Sequence, residues 1–190
     1  MAVDRKRAVV EAATKSFASF GYKATTMDQV AKLANVGKGT IYTFFKNKEE
    51  LFGEIISHLI MEMKLVADKA IDPDAPFFEN VHRAIYSILE FRKDHQLTIK
   101  LIQEERQIGT PEVQEVMQKL DTAILSYIRT QLEKAIEKGE IRECDPEITA
   151  FIMVRLYIAL IFDWEKNHKP LEKKHIAELF ELYLLKGLSK

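Results

Sequence analysis

Between Val113 and Ala135, apolar side chains return every three or four residues: Val113, Val116, Met117, Leu120, Ile124, Tyr127, Ile128, Leu132 and Ala135. That spacing draws one apolar stripe along a helix of about six turns, and on a strand it would scatter the same residues over both faces. Pro111 stands in the first turn, where its missing N–H costs nothing, and Gly139 marks the end. The rest of the chain follows the same pattern. Its 190 residues include 7 Gly and 5 Pro, and alternating β-branched runs are scarce, which leaves little room for sheets or long irregular stretches. The expected fold class is all-α, with about nine helices.

The N-terminal part divides into short pieces. A first helix is expected over 4–20, with Val9, Ala12, Ala13, Phe17 and Phe20 at helical spacing and Gly21 as a left-handed cap. Thr26 and Gln29 form a capping-box pair, starting a second helix with Val30, Ala31 and Ala34 inward. Asn35-Val36-Gly37 breaks it, because Asn and Gly tolerate positive φ. A third helix is expected from Lys38 to about Phe45. Asn47 with Glu50 then opens a fourth, which runs through Leu51, Ile55, Leu59 and Met63 toward Ala70.

Asp72-Pro73-Asp74-Ala75-Pro76 is the main break, and it suggests a head over 1–63 and a body over 76–190. The body reads as helices over about 76–93, 96–107, 111–139, 146–166 and 171–187. From Ile148 to Phe162 only Thr149, Arg155 and Tyr157 interrupt the apolar side chains. Such a run is too short to cross a membrane, which takes about 20 residues. A helix apolar nearly all round has to be covered on several sides. The last helix is similarly rich, with Ile176, Leu179, Phe180, Leu182, Tyr183, Leu184 and Leu185. Pairing of the last two helices with those of a second copy, as a four-helix bundle in a homodimer, is the expected remedy.

Charge separates head from body. Residues 1–48 carry nine Lys and Arg against three acids, a surplus of six; the remainder carries 19 against 26, so the whole chain is −1. A basic head on an acidic body fits a nucleic-acid-binding module joined to a domain with another task. The single cysteine, Cys144, suits a reducing compartment, and Asp4-Arg5-Lys6-Arg7 gives no apolar signal core, so a cytoplasmic protein is expected. Nucleophile elbows, phosphate-cradling glycine loops and paired catalytic carboxylates do not occur, and the five histidines have no metal-ligand spacing with Cys144. We therefore expect no enzyme, no cofactor and no metal.

Two short helices around a tight turn, the second carrying Lys38, Gly39, Thr40, Tyr42 and Thr43, are the parts of a helix-turn-helix over about 26–45. Its third helix would enter a major groove end-on. Gly39 allows close backbone approach, Lys38, Thr40 and Thr43 reach base edges or phosphates, and Tyr42 meets a sugar or phosphate. Lys48, at the start of the next helix, stands where amides and charge together favour an anionic oxygen. Ile41, Phe44 and Phe45 form the buried face.

The stretch TTMDQVAKLANVGKGTIYTFFKNKEEL resembles the helix-turn-helix of the tetracycline-repressor (TetR) family of bacterial transcription regulators. The resemblance covers about a third of the chain. It rests on the capping threonine, the turn, the G-T-x-Y-x-x-F core and K-x-E-E-L in order. Asn35 stands where the family often has Gly, Gly37 where Ser is frequent, and Phe44 where many members have Tyr. The resemblance implies that Thr26, Lys38, Thr40, Tyr42 and Lys48 touch DNA. It also implies a homodimeric regulator, a repressor of a palindromic operator on double-stranded DNA, released when a small-molecule effector binds among the middle helices. Activation is a variant on the same contacts, and a helical carrier or scaffold without DNA binding is the alternative from another class. Candidate effector contacts are Phe91, His95, Tyr127, Arg155 and Trp164. Arg155 stands out because a guanidinium inside an apolar run needs a partner. That partner is an effector anion, an internal acid such as Glu104 or Glu105, or solvent at a dimer edge.

Overall fold

The structure, a computed structural model, describes residues 2–94 and 96–189 and is all-helical, with nine helices among those residues. They are α1 (Ala2–Phe20), α2 (Met27–Leu33), α3 (Lys38–Phe44), α4 (Lys48–Ala70), α5 (Phe77–Asp94), α6 (Gln96–Gln107), α7 (Pro111–Glu137), α8 (Pro146–Ile158) and α9 (Lys173–Phe180). α8 continues through a π-helical turn (Ala159–Asp163) and a 3-10 turn (Trp164–Lys166), and α9 through a π-helical turn (Glu181–Leu185) and a last α turn (Lys186–Leu188). None of the described helices is long and apolar enough to cross a membrane.

The chain packs as two compact units. One comprises the chain up to Glu62 together with Arg92–Leu120; the other comprises Met63–Phe91 and the chain from Asp121 onward. The helix-turn-helix thus shares its unit with α6 and the first part of α7, segments that lie beyond the Asp72–Pro76 break in sequence.

The first unit is built on α1. Val9, Ala13 and Phe17 are fully buried on its inner face, whereas Phe20, read from the sequence as part of that stripe, is 62% exposed. Gly21 then ends the helix at φ +86°. Phe17, Tyr22 and Phe52 fill the centre, with ring centroids 5.1 Å apart for Phe17–Phe52 in a T-shaped pair and 4.6 Å apart for Tyr22–Phe52. α6 packs on α1, and its buried Glu104 carboxylate holds the turn that follows α1. Glu104 accepts from the backbone N–H groups of Tyr22 (2.6 Å) and Lys23 (2.9 Å) and from the Thr110 hydroxyl (3.2 Å). A Cβ at position 21 would stand 2.4 Å from Glu104 Oε2, so glycine is needed there for space as well as for φ.

The second unit encloses Phe77, Val81, Ile85 and Leu89 of α5, Leu132 and Ala135 of α7, Met153 of α8, and Ile176 and Phe180 of α9. α8 opens at Asp145, whose carboxylate accepts from the amides of Glu147 (2.9 Å) and Ile148 (3.1 Å), with Pro146 in the first turn.

Candidate nucleic-acid interface

α2 starts where the sequence places its cap. The Thr26 hydroxyl accepts from Gln29 N at 3.3 Å, and Gln29 Oε1 accepts from Thr26 N at 2.8 Å. The helix ends at Asn35, the described non-glycine residue with positive φ (+53°), while Val36 N donates back to Ala31 O at 3.0 Å. Asn thus takes the left-handed position of the turn. α3 follows from Gly37, which supplies no side-chain cap.

Three side chains, Thr25, Lys48 and Tyr22, pin the turn between α1 and α2. The Thr25 hydroxyl donates to Gly21 O (2.8 Å), so the hydrogen bond it shares with Ser16 (3.0 Å) takes its proton from the Ser16 hydroxyl. Lys48 Nζ donates to Tyr22 O (3.0 Å) and Thr25 O (3.1 Å) and sits 4.1 Å from the centre of the Tyr22 ring. The Tyr22 hydroxyl donates to Glu49 at 2.8 Å. Burial first, and then this bond to Glu49, push the Tyr22 hydroxyl well above the usual phenol range. Glu49 is held below the usual carboxylate range, by its own backbone N–H and then by Tyr22. α4 begins at an Asn47 side chain that accepts from Glu50 N (2.8 Å), while Glu50 accepts from Lys46 N (2.7 Å).

α3 then divides into two faces. Ile41 and Phe45 are buried and Phe44 is half-buried, facing the first unit's interior. Lys38, Gly39, Tyr42 and Thr43 are exposed, Thr40 is half-buried, and Thr26 is exposed at the start of α2. The Thr43 hydroxyl donates to Thr40 O at 2.6 Å. Lys38 Nζ lies 2.9 Å from Asp28 Oδ1 and 3.0 Å from Oδ2, and that hydrogen bond, reinforced by the carboxylate's charge, raises the ammonium above its ordinary pKa. Sequence reasoning missed this pair, whose partners stand ten residues apart on different helices. Lys48 occupies a different setting from the other six candidates: two of its three N–H groups are spent on the backbone carbonyls of the turn between α1 and α2.

Arg155, Tyr127 and Trp164, candidate effector residues, each have a different partner. Arg155 pairs with Asp121, rather than with Glu104 or Glu105, and its guanidinium stands 4.9 Å from the Phe151 ring centre. The Tyr127 hydroxyl donates to Asp68 at 2.8 Å; burial and then this bond push the hydroxyl above the phenol range. Trp164 is 41% exposed, stacks on His168 with centroids 3.9 Å apart, and donates from Nε1 to Lys169 O. Phe91 is half-buried, and His95 lies outside the described residues.

Comparison with known proteins agrees with this geometry. A family model described as bacterial regulatory proteins, tetR family, matches residues 9–55, and one described as tetracyclin repressor-like, C-terminal domain, matches residues 74–188. The chain is 67% identical over 189 residues to the uncharacterized HTH-type transcriptional regulator YhgD of Bacillus subtilis (strain 168), covering 100% of this chain and 99% of that one. It is 32% identical over 145 residues to the fatty acid metabolism regulator protein of the same organism, covering 71% and 70% of the two chains. Among solved structures, the fatty acid degradation regulator FadR from Bacillus halodurans superposes with a TM-score of 0.78 at 18% identity, over 95% of this chain and 94% of that one. Matched in both halves by family models and along its full length by a helix-turn-helix regulator, the chain belongs to the TetR family of transcriptional regulators.

Proposed function

We propose that the protein is a homodimeric repressor that binds a palindromic operator with the exposed face of α3 and lets go when a small molecule binds its second unit. The observation that carries the DNA face is Gly39. It is exposed near the start of α3, and a Cβ built on it would meet nothing within 4 Å. Nothing inside the protein asks for glycine there, and glycine in a helix is the less stable choice by up to about 1 kcal/mol. A helix that gives up a side chain on its outer face, beside Lys38, Tyr42 and Thr43, suits close approach to a duplex.

Support for pairing comes from Ile148 (58% exposed), Phe151 (49%) and Ile152 (46%), one stripe on α8, and from Leu182 (52%) and Tyr183 (71%) at the end of the last helix. These are large apolar side chains of the two helices that sequence reasoning assigned to the dimer. For release, an effector preferring the DNA-incompetent arrangement by about 3 kcal/mol weakens DNA binding roughly a hundredfold. Phe91 and Tyr127, half-buried in the second unit, are the residues we assign to its pocket. Arg155 and Trp164 are more exposed.

Fluorescence anisotropy against DNA from upstream of the protein's own gene tests the reading. Affinity should fall steeply with salt. Tyr42→Ala should weaken it by at least about tenfold, within the range of a lost phosphate or base contact. Gly39→Ala should weaken it comparably while leaving the melting temperature unchanged or slightly higher. Salt-insensitive affinity, or wild-type affinity in both variants, would remove α3 from the DNA face.

A further inference from the structure

We propose that Asp28 is a specificity-determining residue: its carboxylate withholds the Lys38 ammonium from phosphates and so suppresses binding to duplexes other than the operator. The proposal rests on the reading of α3 as the DNA face.

Between residues 26 and 45, the span of the helix-turn-helix, Asp28 is the one acid. It sits in the first turn of α2, and both of its oxygens reach Lys38 Nζ, at 2.9 and 3.0 Å. The pair is open to solvent, with side-chain exposures of 65% for Lys38 and 53% for Asp28. An ion pair so exposed adds little to stability. The fold has no need of it either, because Val30 and Ala31 of α2 and Ile41 of α3 are already buried. Its consequence is electrostatic. A cation placed to meet the duplex is neutralised in the free protein by an anion on the same exposed surface.

On a random duplex, moving Lys38 to a phosphate breaks the pair and leaves a bare carboxylate against the polyanion. The phosphate contact that Lys38 gains is opposed by that carboxylate's repulsion, and it is the same on every sequence. A major groove that offers a cytosine N4 amino group gives the carboxylate a donor. An operator with cytosine at the right position thus releases Lys38 at little cost, and other sequences do not.

The test measures wild type, Asp28→Asn, Lys38→Met and the double variant by anisotropy across a salt series. The probes are a random-sequence 30-base-pair duplex and a duplex selected by the wild-type protein from a random pool. Asp28→Asn should bind the random duplex about tenfold more tightly, with a log K against log salt slope steeper by about 0.9, one additional phosphate neutralised. Affinity for the selected duplex should change less than about threefold, so the specificity ratio drops. In the Lys38→Met background the steepening should vanish. Asp74→Asn, the same charge change on an exposed loop of the second unit, should do neither. The proposal is overturned by an unchanged slope in Asp28→Asn, by a parallel gain on both duplexes, by persistence of the effect without Lys38, or by an equal effect of Asp74→Asn. A wild-type protein with no salt-dependent affinity for either duplex would sink the DNA reading itself, a separate outcome.

Discussion

Gly21 carries two demands at once, a left-handed backbone and an empty place for a carboxylate. Gly21→Ala strains the first and evicts the second, because the nearest atom to the new methyl is Glu104 Oε2 rather than the tip of a movable apolar chain. Displacing that oxygen strips the Tyr22 amide of its acceptor and disturbs the bond from the Lys23 amide to the carboxylate's other oxygen. The expected loss is about 2–4 kcal/mol, read as a lower urea midpoint. Glycine at position 39 is the opposite case, open on its outer side, and its substitution is expected to leave stability intact and damage binding. Comparing the two separates a glycine required by the fold from one required by a partner. From sequence alone, position 21 was legible as a cap. The acid that makes it indispensable lies more than 80 residues further along, beyond the reach of local spacing.

Helix starts and stops were the most legible level. The Thr26–Gln29 box, Asn35, Asp145-Pro146 and Pro111 each act through groups within four residues, so local chemistry suffices to place them. α6 runs from Gln96 to Gln107 as its sequence suggests. What stayed hidden is whatever depends on a partner from another element. Lys48 reads in sequence as a free cation at a helix start, yet its ammonium ties α4 to the carbonyls of the α1–α2 turn. Lys48→Met should therefore cost about 1–3 kcal/mol in a denaturant titration, since two carbonyls lose a charged donor. A lysine serving only phosphate would leave the titration unmoved. Arg155 is similar: its acid, Asp121, is 34 residues away on α7, and an apolar run cannot announce it. The π-helical turns after α8 and α9 also left no mark in composition. Each advances the side-chain register relative to a plain α-helix, so a stripe counted at 3.6 residues per turn loses phase there.

For the whole molecule, the exposed Ile148, Phe151, Ile152, Leu182 and Tyr183 predict self-association. A Phe151→Glu, Tyr183→Glu variant should sediment as a monomer of 22.0 kDa and, if the proposed homodimer binds the DNA, should bind it far more weakly. A wild-type protein that already sediments at that mass would remove these helices from the interface. Glu104 has one more consequence. Its grip on the amides of Tyr22 and Lys23 places part of the head's foundation on α6, after an excursion of the chain through Met63–Phe91. The compact unit that holds the head is therefore not a continuous stretch of the chain. An excised N-terminal third would surrender an anchor encoded far downstream, and transplanting the head onto another regulator would require carrying α6 along with it.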